Sequence, residues 1–148
     1  TPTAPSIRTL QVAFGEMLAA MMAFKDDRGE PLDLMASGLA IVCHPNQLIP
    51  WQTALNAGIV VNTTNVLPQY NVGVVPMARL SASDTHFLLK TDTPVRPFVF
   101  QDREAVRLDM LEDGSEHEIK TGKLLYVARA RYRMTYGKWF LAVKQQLI

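Results

Sequence analysis

Ile7, Leu10, Phe14, Met17, Met21 and Phe24 recur at spacings of three and four residues, which sets them along one face of a helix. Pro5 suits a first turn, and Ser6 or Thr3 offers a cap for the free amides there. Lys25-Asp26-Asp27-Arg28-Gly29 ends the helix, with Pro31 just beyond. Two methionines and two phenylalanines on one face need a cover, supplied either by a sheet of the same domain or by a neighbouring subunit.

Strand patterns follow. Leu39 to Cys43 reads as a buried strand, and His44-Pro45-Asn46 turns the chain. A short helix is expected around Pro50 to Ala57, with Pro50 in its first turn, since a proline there argues against one continuous helix from Pro45. Ile59-Val60-Val61 is a short strand, and Asn62 to Asn71 a polar surface loop. Val72 to Leu80 could be a strand, which Pro76 confines to an edge or a break. Ser81 to Asp84 reads as a turn, His86 to Leu89 as an apolar run, and Phe98-Val99-Phe100 as a further strand.

Strict alternation comes last. Leu124, Tyr126, Ala128, Ala130, Tyr132, Met134 and Tyr136 fall on one face, and Leu125, Val127, Arg129, Arg131, Arg133 and Thr135 on the other. Asp113-Gly114 is a turn dipeptide, so Val106 to Leu111 is expected to pair with this strand through a long hairpin. Gly137 ends the strand, and Trp139 to Ile148 forms a closing element whose type the pattern leaves open. One clear helix, one short helix and a majority of strands give an α+β class.

Composition narrows the function. The 148 residues are 48% hydrophobic and 20% charged, the balance of one domain with one core. A net charge of +1 excludes the global basic field of a dedicated nucleic-acid binder. The single cysteine, Cys43, excludes an internal disulfide framework and a four-cysteine zinc site. Apolar runs are far shorter than the roughly 20 residues that span a bilayer, and no signal peptide is visible, so a soluble protein without membrane partners is expected. Thr1 in place of an initiating methionine suggests that sequence has been removed upstream.

Catalytic and metal-binding patterns are weak. His44, His86 and His117 are not at ligand spacing, so no metal or cofactor is expected. Cys43 and His44 are strand neighbours that point to opposite faces, which leaves Cys43 as a small core residue. Asp26, Asp27, Glu30 and Asp33 lack calcium-loop spacing. Ser81, Ser83, Asp84 and His86 hold the residue types of a hydrolase triad without the G-x-S-x-G elbow, and no phosphate loop occurs. Asn62-Thr63-Thr64 matters as a glycosylation acceptor only in a secreted protein.

Charge patterning carries more. Arg129, Arg131 and Arg133 form a stripe, and Asp102 to Glu118 holds seven acids. Pairing within a hairpin, pairing between copies, and direct nucleic-acid contact are all open. The candidate interface set is Arg129, Arg131 and Arg133 meeting Asp109, Glu112 and Glu116, within or between subunits.

Four stretches in matching order resemble the major head subunit family of Mu-like phages and prophages. They are Gly29-Glu30-Pro31-Leu32-Asp33-Leu34 leading into Leu39 to Val42 and the Pro45 turn; Val72 to Leu80 with Asp84-Thr85-His86-Phe87-Leu88-Leu89; Pro97-Phe98-Val99-Phe100-Gln101-Asp102-Arg103; and Arg129 to Trp139, with its closing Gly137-Lys138-Trp139. The likeness runs from about Gly29 to Ala142. His86 stands where the family often has a larger aromatic, and the family's first half has no counterpart. The resemblance implies the tailed-phage major capsid fold of the Hong Kong 97 type. Residues 1–28 would then form a peripheral or spine helix, 29–122 mainly an axial domain, and 123–148 a returning peripheral strand and carboxy-terminal segment. It implies a structural role without catalysis and self-assembly into hexamers and pentamers that enclose DNA. Scaffold and portal proteins would be further partners. The place of action would be the virion, and the bacterial cytoplasm during assembly. The alternative is a nucleic-acid-binding or interaction domain using the Arg129/Arg131/Arg133 face.

Overall fold

Helix α1 (Ile7–Met22) begins where Ser6 turns its hydroxyl back to accept the Thr9 amide at 3.1 Å. Pro5 stands just before this cap instead of inside the first turn. Leu10, Phe14, Met17 and Met21 are buried, as their spacing requires. Phe24 lies beyond the helix end and packs edge-on against Trp139, ring centroids 5.0 Å apart. The computed structural model describes residues 5–34, 36–60, 63–80, 84–110 and 116–147. By its contacts the chain forms two compact units, Thr1–Pro97 with Gly137–Ile148, and Phe98–Tyr136.

In the first unit, β1 (Leu39–Cys43) is followed by a 3₁₀ turn at Pro45–Gln47 and helix α2 (Leu48–Asn56), with Pro50 in its first turn. The polar segment expected as a loop holds more structure than its composition suggests. The strand β3 (Thr63–Thr64), which pairs with β2 (Ile59–Val60) at the expected Ile59 strand, and a 3₁₀ turn at Leu67–Tyr70 lie there. Next come β4 (Gly73–Pro76) and β5 (Thr85–Lys90). The main sheet has the order β4-β1-β5-β8, where β8 (Ala142–Gln146) is the closing element that the pattern left open. β4 runs parallel to β1, and β5 antiparallel to both β1 and β8. Pro76 ends β4 at the sheet's edge, where its missing amide costs no ladder bond.

Leu39, Ile41, Cys43 and Leu88 of the sheet meet Trp51, Ala54 and Leu55 of α2 and the α1 stripe in one core. Burying each large side chain contributes about 1.5–3 kcal/mol. Gly38 and Lys90 fasten the sheet's rim. Gly38 adopts φ +57°, and an added Cβ would run into the Asp92 side chain. Lys90, only 4% exposed, reaches Asp92 at 2.8 Å and donates to the Ser37 carbonyl at 3.0 Å. The bond from Lys90, and a second from Ser37, hold the Asp92 carboxyl below the usual range.

In the second unit, β6 (Phe98–Met110) pairs antiparallel with β7 (Tyr126–Tyr136). The strand expected at Phe98 and the strand expected at Val106 are one 13-residue element. Register shifts between Asp102 and Glu104, and again between Glu104 and Arg107, insert extra residues and break the alternation. That break is why the sequence reads as two strands. Helix α3 (Glu116–Thr121) interrupts the expected long hairpin, and the Asp113-Gly114 turn lies outside the described residues.

Candidate functional site

Residues directly opposite across an antiparallel pair share a face, so the register assigns both faces of the ribbon. On one face Phe98 stands opposite Tyr136, Phe100 opposite Met134, Leu108 opposite Ala128, and Met110 opposite Tyr126. Tyr132 belongs to the same face and stacks obliquely on Phe100, ring centroids 5.7 Å apart. Apart from Ala128, each of these side chains is 53% to 76% exposed. The only charge registered on this face is Asp102, opposite Tyr132.

The other face is charged. Arg133 stands opposite Gln101, Arg131 opposite Glu104, and Arg129 opposite Arg107. Arg131 approaches Glu104 at 3.9 Å with its side chain 80% exposed, a geometry that contributes roughly 0–1 kcal/mol in water. Asp109 pairs at 3.1 Å with Arg107, two positions back on its own strand. Glu116 sits in α3 and pairs with Lys120, one turn on. Glu112 lies outside the described residues. The three arginines therefore do share a face. Among the described residues, the acid that meets this stripe is Glu104, which lies outside the interface set expected from the sequence. The β6 bulges bring Glu104 opposite Arg131, and no spacing rule applied to β6 alone would show it.

The residues with catalytic chemistry are placed otherwise. His86 is fully buried against Trp51, and its Nδ1 accepts from the indole N–H at 3.1 Å. Burial lowers its pKa, partly opposed by the charge of Asp84. Asp84 itself accepts from Gln146 on β8 at 2.9 Å. Ser81 and Ser83 lie outside the described residues. Burial pushes the Cys43 thiol up to about 11, which leaves no thiolate near neutral pH. Asp26 uses its carboxylate locally, accepting the Arg28 and Glu30 amides at 2.9 Å each. Among the described residues no cluster of metal-ligating side chains occurs, and no helix is long and apolar enough to cross a membrane.

Gly137-Lys138-Trp139 follows the ribbon. The Gly137 amide donates to the Pro97 carbonyl at 2.8 Å, and a Cβ on Gly137 would collide with the Arg96 carbonyl oxygen. A glycine is required there by close backbone approach, and Trp139 then packs on Phe24 and Phe140.

Among solved structures, the crystal structure of a virus-like particle from Pyrococcus furiosus resembles this fold with a TM-score of 0.53. The likeness covers 96% of this chain and 53% of that one at 10% identity, so it is a likeness of fold, and this chain spans about half that chain's length. No curated protein matches. The family model described as the Mu-like prophage major head subunit gpT matches residues 69–147, from the turn before β4 through the ribbon to the end of β8. That match covers more than half of the chain, and the chain belongs to the Mu-like prophage major head subunit family.

Proposed function

We propose that this chain is a structural subunit of a phage-type head, which assembles with copies of itself into a closed shell around DNA. The observation that carries this reading is the family match over residues 69–147, on a chain whose α+β fold resembles that of a virus-like particle subunit. Repeated heterologous contacts around five- and six-fold axes would close such a shell. Scaffold and portal proteins are further partners in this proposal. It places the protein in the virion, and in the host cytoplasm during assembly. Catalysis forms no part of the proposed role. The assignment of residues 1–28 to a peripheral or spine helix, 29–122 to an axial domain and 123–148 to a returning strand belongs to the same proposal. The boundaries drawn by contacts, at Phe98 and Tyr136, would instead keep both arms of the ribbon in one region.

Within this reading the stripe of Arg129, Arg131 and Arg133 meets acids of a neighbouring copy, with Asp109, Glu112 and Glu116 as candidates. Support comes from the register, in which Arg129 faces Arg107 and Arg133 faces Gln101. Two of the three arginines thus have no acid directly across the ribbon. A nucleic-acid reading of the same stripe has less support, since no aromatic side chain is registered on that face. Reversal of all three arginines to Glu tests the proposal by light scattering with negative-stain microscopy. The unaltered chain should give closed shells or rings of five and six. The reversed chain should remain folded and assemble poorly. A chain that stays monomeric at high concentration, or assembly indifferent to the reversal, counts against it.

A further inference from the structure

Two polar residues face each other on the core side of the main sheet. Leu88 of β5 belongs to the core, and Val143 of β8 stands opposite it and packs there too. Two positions along each strand, His86 stands opposite Gln145. Residues directly opposite share a face, so His86 and Gln145 interrupt an apolar surface that runs on through Leu147. We propose that His86 Nε2 and Gln145 Oε1 hold one water molecule between them, in an enclosed site that completes a hydrogen-bonded chain through the sheet unit. The inference concerns that unit alone and stands apart from the shell reading.

The neighbours of each residue fix what it presents. An indole N–H can only donate, so the Trp51 bond to His86 Nδ1 at 3.1 Å puts the imidazole proton on Nε2. His86 is fully buried, and this Nε2–H donor meets no acceptor among the described residues. Gln145 is oriented from its other end. Its Nε2 donates to the Glu16 carboxylate at 2.6 Å, which leaves Oε1 as the free end of the amide. Oε1 is buried as well and meets no donor among the described residues. A donor and an acceptor thus remain unmet on directly opposed positions, and they do not bond each other. Buried polar groups are rarely left so, and an internal water commonly serves where direct contact fails.

Chemistry selects the occupant. A metal ion would meet the Nε2–H, and an anion would meet the amide oxygen. Water accepts from the first and donates to the second. Every link then runs in one direction: Trp51 N–H to His86 Nδ1, His86 Nε2–H to water, water to Gln145 Oε1, and Gln145 Nε2–H to the Glu16 carboxylate. Bonds aligned in this way polarise one another, and the chain ends on an acceptor suited to carry negative charge. It ties α2, β5, β8 and α1 together through side chains alone.

The test is a high-resolution density map of the 148-residue chain, joined to thermal melts of two variants. The map should show one water within about 3.2 Å of both His86 Nε2 and Gln145 Oε1. A direct bond between the two residues, or no density between them, overturns the inference. Gln145→Leu extends the apolar row from Val143 to Leu147 but removes the acceptor. Its melting temperature should fall by about 3 °C or more, and the water should vanish from its map. Without a water site the added apolar contact would leave the melt unchanged or raise it, and that result overturns the inference, as does water retained in Gln145→Leu. Glu16→Ala removes only the outer bond. It should keep the water and shift the melt by less than about 1 °C. A fall in Glu16→Ala as large as in Gln145→Leu would assign the loss to the outer bond and overturn the inference too. Should Gln145→Leu fail to fold by circular dichroism, the map of the unaltered chain decides.

Discussion

The sheet unit and the ribbon use similar residues to opposite ends. In the sheet unit Phe14, Trp51, Ile41 and Leu88 are almost wholly enclosed by α1, α2 and β1. In the ribbon Phe98, Phe100, Tyr132 and Met134 are more than half exposed. The buried stripe of α1 keeps a period of 3.6 and the exposed row of β7 a period of two, so periodicity tells which residues share a face and not whether anything covers it. The difference is sharpest for paired substitutions. Trp51→Ala should cost about 3–5 kcal/mol in chemical denaturation, through lost transfer and a cavity beside His86. Phe100→Ala should cost the isolated chain less than about 1 kcal/mol, because little of its surface leaves water on folding. Equal losses would mean that the ribbon face is covered within the chain itself.

Periodicity also marks what was legible beforehand. The α1 stripe from Leu10 to Met21, the β1 strand, the edge position forced by Pro76 and the two faces of β7 from Tyr126 onward follow from spacing and lie where expected, whereas Ile7 is exposed, Phe24 lies beyond the helix, and Leu124 and Leu125 precede the strand. The resemblance to head subunits rested on ordered short motifs, and the family match over residues 69–147 includes three of them. What stayed hidden depends on contacts distant in sequence. The two β6 bulges erase the period over Asp102 to Arg107, so one long strand read as two, and Glu104 was missed as the partner of Arg131. β8 gave no clear signal because Lys144 to Gln146 are polar along a sheet edge, although the strand is fixed by five register pairs to β5. In the sequence His86 stands only as one residue type of an incomplete triad, because Trp51, the group that explains it, lies 35 residues upstream.

The joint between the two kinds of region offers a smaller effect with a built-in contrast. Gly137→Ala forces a Cβ against the Arg96 carbonyl oxygen, a backbone atom that no side-chain rotation can move away. The expected loss is about 1–3 kcal/mol. Gly15→Ala is the counterpart inside α1, where a Cβ meets nothing within 4 Å. There alanine should stabilise by about 0.5–1 kcal/mol, because a mid-helix glycine loses the most backbone freedom on folding. Thermal melts of the two single variants should therefore move in opposite directions. A neutral Gly137→Ala would show that the Pro97–Gly137 crossing is loose, which would undercut the account of the Gly137-Lys138-Trp139 motif.

Smaller still is a dependence on pH that should touch the sheet unit and not the strands of the ribbon, which contain no histidine. In the fold, His86 is neutral at Nδ1 so that it can accept the Trp51 N–H, and its buried site resists a positive charge, with Asp84 offsetting part of that resistance. Its folded pKa lies below the ordinary imidazole value, so between those two values the unfolded chain binds the proton and the folded chain does not. Stability from this group is complete above the ordinary value and declines as pH falls toward the folded one. The melting temperature should drop between about pH 7.5 and about pH 5.5, and His86→Gln, which keeps an acceptor without a titrating ring, should flatten that slope while lowering stability at neutral pH. Parallel slopes in the two proteins would show that bulk water already reaches the imidazole, and that the Trp51–His86 pair is less enclosed than the rest of the core.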